Sequence, residues 1–143
     1  MNIAQLIAGR ASSTIVTCDS DLPMREALAL LSERRIGAMP VTKGGEVAGI
    51  FSERDVIHCL AREGEASLSR PVGEVMTAPA ITVDPATKVD EALELMTKRR
   101  IRHLPVVQDG AMCGFISIGD LVKSRIDAVE AEAEAMRSYI QTA

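Results

Sequence analysis

The chain has 143 residues and a net charge of −4, with 47% hydrophobic and 25% charged residues, a balance that fits one globular unit or one tightly paired repeat. Binding to a phosphate backbone calls for a basic surface and base stacking calls for aromatic rings; this chain is acidic and has two Phe, one Tyr and no Trp, which excludes nucleic acid as a partner. A membrane span needs about 18–20 consecutive apolar residues, and the sequence has no such run.

Residues 1–10 alternate apolar and polar side chains and lack the basic start and apolar stretch of a signal peptide, so a cytoplasmic location is expected. A short β-rich run, Ile15-Val16-Thr17, leads through Asp19 and Pro23 into a helical pattern in which Leu22, Met24, Ala27, Leu28, Leu31 and Ile36 share one face. This helix is expected to end near Arg34-Arg35, where cations meet the negative end of the helix dipole. Strands are expected over residues 39–42 and 47–51, joined at Lys43-Gly44-Gly45-Glu46 as a hairpin, and a second helix starts at Ser52. Residues 64–76 carry Gly, Ser and Pro and read as the linker between a first unit, 1–63, and a second, 77–143.

The second unit runs through the same elements. Ile81-Thr82-Val83 precedes a helix carrying Val89, Ala92, Leu93 and Met96, which ends near Arg99-Arg100. Strands over residues 104–107 and 112–116 flank Gln108-Asp109-Gly110-Ala111, and a helix starts at Ser117. It continues through residues 122–143, mostly strong helix formers, where Val122, Ile126, Val129, Met136 and Ile140 form a candidate self-association stripe. Cys18, Cys59 and Cys113 are odd in number and lie among apolar residues, as buried thiols do. Two His residues without CxxC or HxxxH spacing give no zinc site.

The recurrence is a duplication. Shifted by 65 residues, residues 16–57 align without a gap on 81–122, and fifteen of the pairs are identical. The fold class expected is therefore mixed α/β (α+β). Two β-α-β-β-α motifs pack their sheets face to face about a pseudo-twofold axis, with an extended C-terminal helix. Clefts between the copies would come in pairs, each lined from both repeats.

The sharpest local motif is Gly-x-x-Ser-x-x-Asp at the strand-to-helix junction, present as Gly49…Ser52…Asp55 and Gly114…Ser117…Asp120. Ser with Asp three residues on makes a capping box. The same place offers helix-terminal amides to a phosphate, a carboxylate to the two hydroxyls of a ribose, and a small Gly for close approach of a ligand. Ile50, Phe51 and Phe115 can wall a flat base, so the geometry suits an adenosine-type ligand.

The two copies resemble a pair of CBS motifs, the regulatory repeat named after cystathionine β-synthase. The resemblance covers about residues 12–126 and rests on the blocks around Arg34-Arg35-Ile36-Gly37-Ala38-Met39-Pro40-Val41 and Arg99-Arg100-Ile101-Arg102-His103-Leu104-Pro105-Val106, each running on to its Gly-x-x-Ser-x-x-Asp. The lead-in Val72-Gly73-Glu74-Val75-Met76-Thr77 is also similar to that family. The chain looks like the small stand-alone CBS-pair proteins. The resemblance implies no catalysis and no catalytic cofactor. It implies binding of AMP, ADP, ATP, NAD or S-adenosylmethionine between the motifs, a homodimer, and a regulated protein partner that the sequence does not identify.

Carried over by position, Asp55 and Asp120 would hold the ribose and Ser52 and Ser117 lie near the phosphate. Arg54 would reach the phosphate too, with Gly119 as its counterpart. Ile36, Gly37, Ala38, Met39 and Ile101, Arg102, His103, Leu104 would line both clefts, and the backbone near Val16 and Ile81 would hold the adenine edge. Because Gly37-Ala38 stands where the second copy has Arg102-His103, the Asp55 cleft would collect Arg54 with Arg102 or His103. The Asp120 cleft would have Arg102 and no counterpart of Arg54. The expected function is a non-catalytic sensor of adenosine compounds in which the Asp55 cleft prefers phosphate more strongly. The alternative is a ligand-independent homodimeric adaptor.

Overall fold

The computed structural model describes residues 1–11 and 14–142. The chain begins with a one-turn helix α1 (Ile3–Ile7), closed by a capping box between Asn2 and Gln5. The first repeat then runs β1 (Cys18–Asp19), α2 (Met24–Arg34), β2 (Ala38–Lys43), β3 (Glu46–Ser52) and α3 (Glu53–Glu63). A 3-10 segment over Gly64–Ser69 and a one-turn helix α4 (Val72–Val75) lead to the second repeat: α5 (Val89–Arg99), β4 (His103–Gln108), β5 (Ala111–Ser117) and α6 (Ile118–Thr142).

The two repeats are built alike down to their irregularities. Helices α2 and α5 each stop where the next arginine, Arg35 or Arg100, turns left-handed with φ of 53° or 54°. Each hairpin closes on two residues with positive φ, Gly44-Gly45 and Asp109-Gly110, the tight turn whose twist matches that of the flanking strands. The loops are thus shorter than the four residues expected, because the strands continue to Lys43 and Gln108. Both ladders carry a bulge one turn-length in, between Val41 and Thr42 and between Val106 and Val107.

The leading strands differ from expectation. β1 forms at Cys18–Asp19, parallel to β2, and not at residues 15–17; its counterpart in the second repeat is a single bridge between Val83 and Val106. Three strands therefore make the first sheet and two the second. The halves meet along β3 and β5.

Each sheet has its own core. The first gathers Met24, Ala27 and Leu31 from α2, Met39, Val41 and Phe51 from the hairpin, and Val72 and Val75 from α4. The second gathers Val89, Ala92 and Met96 from α5, Leu104, Val106 and Ile116 from the hairpin, Leu121 from α6, and Ile3 from α1. The leading helices are exchanged: α1, at the head of the first repeat, packs in the second core, while α4, at the head of the second, packs in the first. The Ile3 amide donates to the Thr87 carbonyl at 2.8 Å, and the Val72 amide donates to the Leu22 carbonyl at 2.7 Å. Reciprocal exchange of this kind ties the repeats together as a pseudo-twofold pair. It also means that residues 64–76 are a packed connection, with Val72 fully buried.

Candidate functional site

Two clefts open between the repeats. One, of about 580 Å³, takes Ile50, Ser52, Arg54, Asp55 and Ile57 from the first repeat, Arg99, Arg100, Ile101, Arg102 and His103 from the second, and Thr77, Pro79, Ala80 and Ile81 from the chain entering the second repeat. The other, of about 310 Å³, mirrors it with Cys113, Gly114, Phe115, Ser117 and Asp120 from the second repeat, Ile36, Gly37 and Ala38 from the first, and Ile7, Arg10, Thr14, Ile15 and Val16 from the entering chain. Gly37, Ala38 and His103 face both. Both volumes lie in the range of small-molecule sites.

The floor of each cleft is a helix start. At α3 the Asp55 carboxylate accepts from the Ser52 amide at 2.9 Å and from the Ser52 hydroxyl at 3.1 Å, while the Asp55 amide donates to Ser52 Oγ at 3.4 Å. The Glu53 amide donates to the Gly37 carbonyl at 3.0 Å. Among the described residues only the Arg54 amide is left without a partner in this first turn. At α6 the Ser117 amide donates to Asp120 at 2.9 Å, the Asp120 amide to Ser117 Oγ at 3.1 Å and the Ile118 amide to the Arg102 carbonyl at 2.8 Å, which leaves Gly119. An anion entering the Asp55 cleft therefore meets one free amide, that of Arg54, and in the Asp120 cleft, which Gly119 does not line, it meets none, so most of its attraction must come from side chains.

The two carboxylates are engaged differently on their outer oxygens. Thr77 donates its hydroxyl to Asp55 Oδ1 at 2.9 Å. Asp120 is instead gripped by Arg10, whose two guanidinium nitrogens lie 3.3 and 3.5 Å from its two oxygens. Burial disfavours the charged form of Asp120, but the Ser117 amide, Arg10 and the Ser117 hydroxyl outweigh it and hold its pKa below the ordinary carboxylate value. Arg10 sits in a segment with no full counterpart. Ile7 and Met76 occupy equivalent places against Gly114 and Gly49, yet Thr17 follows Ile7 by ten residues and Thr82 follows Met76 by six. From the described part of this longer segment, Arg10, Thr14, Ile15 and Val16 line the Asp120 cleft, the smaller of the two.

His103 stacks on Phe115, with centroids 5.4 Å apart and planes 11° from parallel, as diagonal neighbours across β4 and β5. Burial, helped by the Arg102 charge and opposed by Asp120, lowers the His103 pKa from 6.5. The shift favours its uncharged form and leaves the standing positive charge beside Arg54 to arginines. That charge comes from Arg99, Arg100 and Arg102. The first two, read only as a helix end, reach the cleft because their helix stops at its rim.

Several sequence expectations take other places. Met39 and Leu104 are fully buried in the two cores and line neither cleft; strand alternation turns them inward next to Ala38 and His103, which face the clefts. Gly119 is not among the residues lining either cleft. Ile36 borders only the Asp120 cleft, while Ile101 and Arg102 border only the Asp55 cleft, so the Asp120 cleft takes its cation from Arg10. Gly49 admits no ligand: a Cβ there would lie 2.7 Å from both Met76 Sδ and the Thr77 carbonyl, because its own chain crosses it. Phe51, read as a wall for a base, is fully buried in the first core. Arg10 and Thr77 escaped the sequence reading since each acts through a fold-dependent partner 110 or 22 residues away.

Comparison with known proteins agrees with this architecture. The family model for the CBS domain matches twice, over residues 7–62 and 72–127. The chain is 38% identical over 92% of its length to the mitochondrial CBS domain-containing protein CBSX3 of Arabidopsis thaliana, and the match spans 66% of that protein. A CBS-domain protein from Agrobacterium tumefaciens superposes with a TM-score of 0.82 at 37% identity, covering 87% of this chain and 99% of the other. The CBS domain pair of protein MJ0100, solved with 5'-methylthioadenosine and S-adenosyl-L-methionine, shares the fold with a TM-score of 0.74 at 24% identity, over 91% of this chain and 98% of that one. With two motifs matched in tandem and their paired clefts in place, the chain belongs to the CBS-domain family.

Proposed function

We propose that the chain is a non-catalytic sensor that binds an adenosine-containing ligand (AMP, ADP, ATP, NAD or S-adenosylmethionine) between its repeats. The Asp55 cleft takes it first, and the bound state is passed to a regulated partner protein. The observation that carries the reading is the make-up of the larger cleft: a carboxylate for the ribose at Asp55, the apolar walls Ile50, Ile81 and Ile101 for the base, and Arg54, Arg99, Arg100 and Arg102 for the phosphate. Hydrogen bonds from arginine to a phosphate are charge-assisted and about twice as strong as neutral ones. The Asp120 cleft, smaller and with its carboxylate already held by Arg10, suits the uncharged part of such a ligand better than its phosphates. The ligand complex of the similarly folded MJ0100 pair fits this class of ligand.

A ligand touching both repeats shifts their packing only by its differential affinity for two arrangements. The exchange of α1 and α4 between cores gives such a shift a path into both halves. The working unit is a homodimer, and the three free cysteines fit the reducing cytoplasm in which we place it. The ligand-independent adaptor is the alternative. Thermal unfolding in the presence of AMP, ATP, NAD and S-adenosylmethionine separates the two: a ligand at 100 times its dissociation constant adds about 2.7 kcal/mol of stability and raises the midpoint by several degrees. If no adenosine compound moves the midpoint, the adaptor reading replaces the sensor.

A further inference from the structure

Helix α6 runs 25 residues, and only its first two turns bury side chains in the body of the protein; beyond them Arg125 reaches Asp90 at 3.7 Å. Leu121 is fully buried and Ser124 nearly so, whereas every described residue from Arg125 onward is exposed. At about 1.5 Å per residue, the free part reaches some 27 Å, or 18 residues. The helix carries a large share of the exposed apolar side chains: Val122, Ile126, Val129, Met136 and Ile140 are 43–67% exposed.

Their spacing is regular. Val122, Ile126, Val129, Ala133, Met136 and Ile140 follow one another at intervals of four, three, four, three and four. This is an unbroken 3.5-residue repeat, which places Ile126, Ala133 and Ile140 at a and Val122, Val129 and Met136 at d of a heptad. At about 100° per residue these six fall within an arc of about 80°, turned some 130° from the face that buries Leu121 and Ser124. The stripe thus lies off the face that packs on the body of the module.

The flanking charges choose the partner and its direction. With this register, Arg125 and Glu132 are g positions and Lys123, Glu130 and Arg137 are e positions. In a parallel pair of two copies, g meets the e of the following heptad on the other helix, which sets Arg125 against Glu130 and Glu132 against Arg137 of the second copy. In the antiparallel pair that keeps the apolar layers aligned, Glu130 meets Glu130, Glu132 meets Glu132, and Lys123 meets Arg137, all like charges. The intrachain ion pairs now made by two of these residues, Arg125 with Asp90 at 3.7 Å and Arg137 with Glu134 at 3.1 Å, are exposed and worth little, so they do not compete.

We propose that α6 forms a parallel two-stranded coiled coil with α6 of a second copy through the seam from Val122 to Ile140, placing two modules side by side at the same end of the coil. Sedimentation velocity over a concentration series tests it. A dimer is expected, and Ile126→Asp should weaken it by at least about 100-fold, since both copies lose a buried aliphatic side chain. Its thermal midpoint at low concentration should be unchanged, because Ile126 lies outside both cores. Ala133→Ile, which fills the one small layer of the seam, should tighten the dimer. Met136→Cys reports direction: in the parallel coil it faces its own copy and forms an intermolecular disulfide that the parent protein does not. A chain that stays monomeric even with Ala133→Ile, a dimer indifferent to Ile126→Asp, or a Met136→Cys dimer that fails to cross-link would overturn the proposal.

Discussion

Gly49 and Gly114 occupy the same place in the two repeats, and substituting each by alanine should have unequal consequences. A Cβ on Gly49 would stand 2.7 Å from the Thr77 carbonyl oxygen, a backbone atom held by reciprocal bonds with Ile50 at 2.9 Å each. It cannot yield without opening that bridge. A Cβ on Gly114 would meet first the tip of Ile7 at 3.1 Å, a flexible side chain at the end of a one-turn helix. Overpacking costs about 1–3 kcal/mol, and each backbone bond lost adds about 1 kcal/mol. Gly49→Ala should therefore cost about 2–4 kcal/mol, and Gly114→Ala about 1 kcal/mol or less. In urea unfolding monitored by circular dichroism, the first variant should move the midpoint down markedly and the second little. Because Thr77 also donates to Asp55, Gly49→Ala should weaken ligand binding at the Asp55 cleft as well. Equal costs for the two substitutions, or the reverse order, would refute the assignment of Gly49 to close chain approach.

The pH dependence of stability has two parts of the same sign. His103 has a folded pKa below its unfolded 6.5, so its contribution is complete above that pH and is lost as pH falls below it; His103→Gln should flatten the thermal midpoint against pH in that window. Asp120, whose folded pKa is below 3.8, contributes above 3.8 and loses its contribution as pH falls further, so Asp120→Asn should flatten the curve there instead. Arg10→Ala removes a partly exposed pair worth at most about 1 kcal/mol and frees the Asp120 carboxylate, so calorimetry should find tighter binding of phosphate-free adenosine in the smaller cleft. Burial, with the adjacent Asp19 charge, pushes the Cys18 thiol up to about 11; it should react with a thiol reagent only when the protein unfolds, as a denaturant titration of labelling would report.

The repeat made most of the fold legible. Helix ends at Arg34 and Arg99, hairpins at Gly44-Gly45 and Asp109-Gly110, and the cap residues Ser52 and Ser117 follow from local chemistry that the sequence states twice, once in each copy. The leading strands were less legible, since β1 has only two residues and its counterpart one bridge, too short for alternation to register. The exchange of α1 and α4 left no mark in composition, because a one-turn apolar helix reads the same whichever core receives it. At the clefts, Asp55, Ser52, Asp120 and Ser117 stood out by motif and spacing. Arg10 and Thr77 did not, because what gives them their place is the path of the chain over Gly114 and Gly49. Burial, which a sequence does not display, shifts His103 toward its uncharged form.

Isothermal titration of AMP into the parent protein, Asp55→Ala and Asp120→Ala bears most directly on the sensor reading. Loss of either carboxylate removes one half of a capping box and leaves Ser52 or Ser117 as the cap, at a cost of at most about 0.5–2 kcal/mol, so all three proteins stay folded for the measurement. The account requires the tighter site to vanish in Asp55→Ala and to persist in Asp120→Ala. Binding that survives Asp55→Ala unchanged, or one site that disappears only with Asp120→Ala, would contradict it.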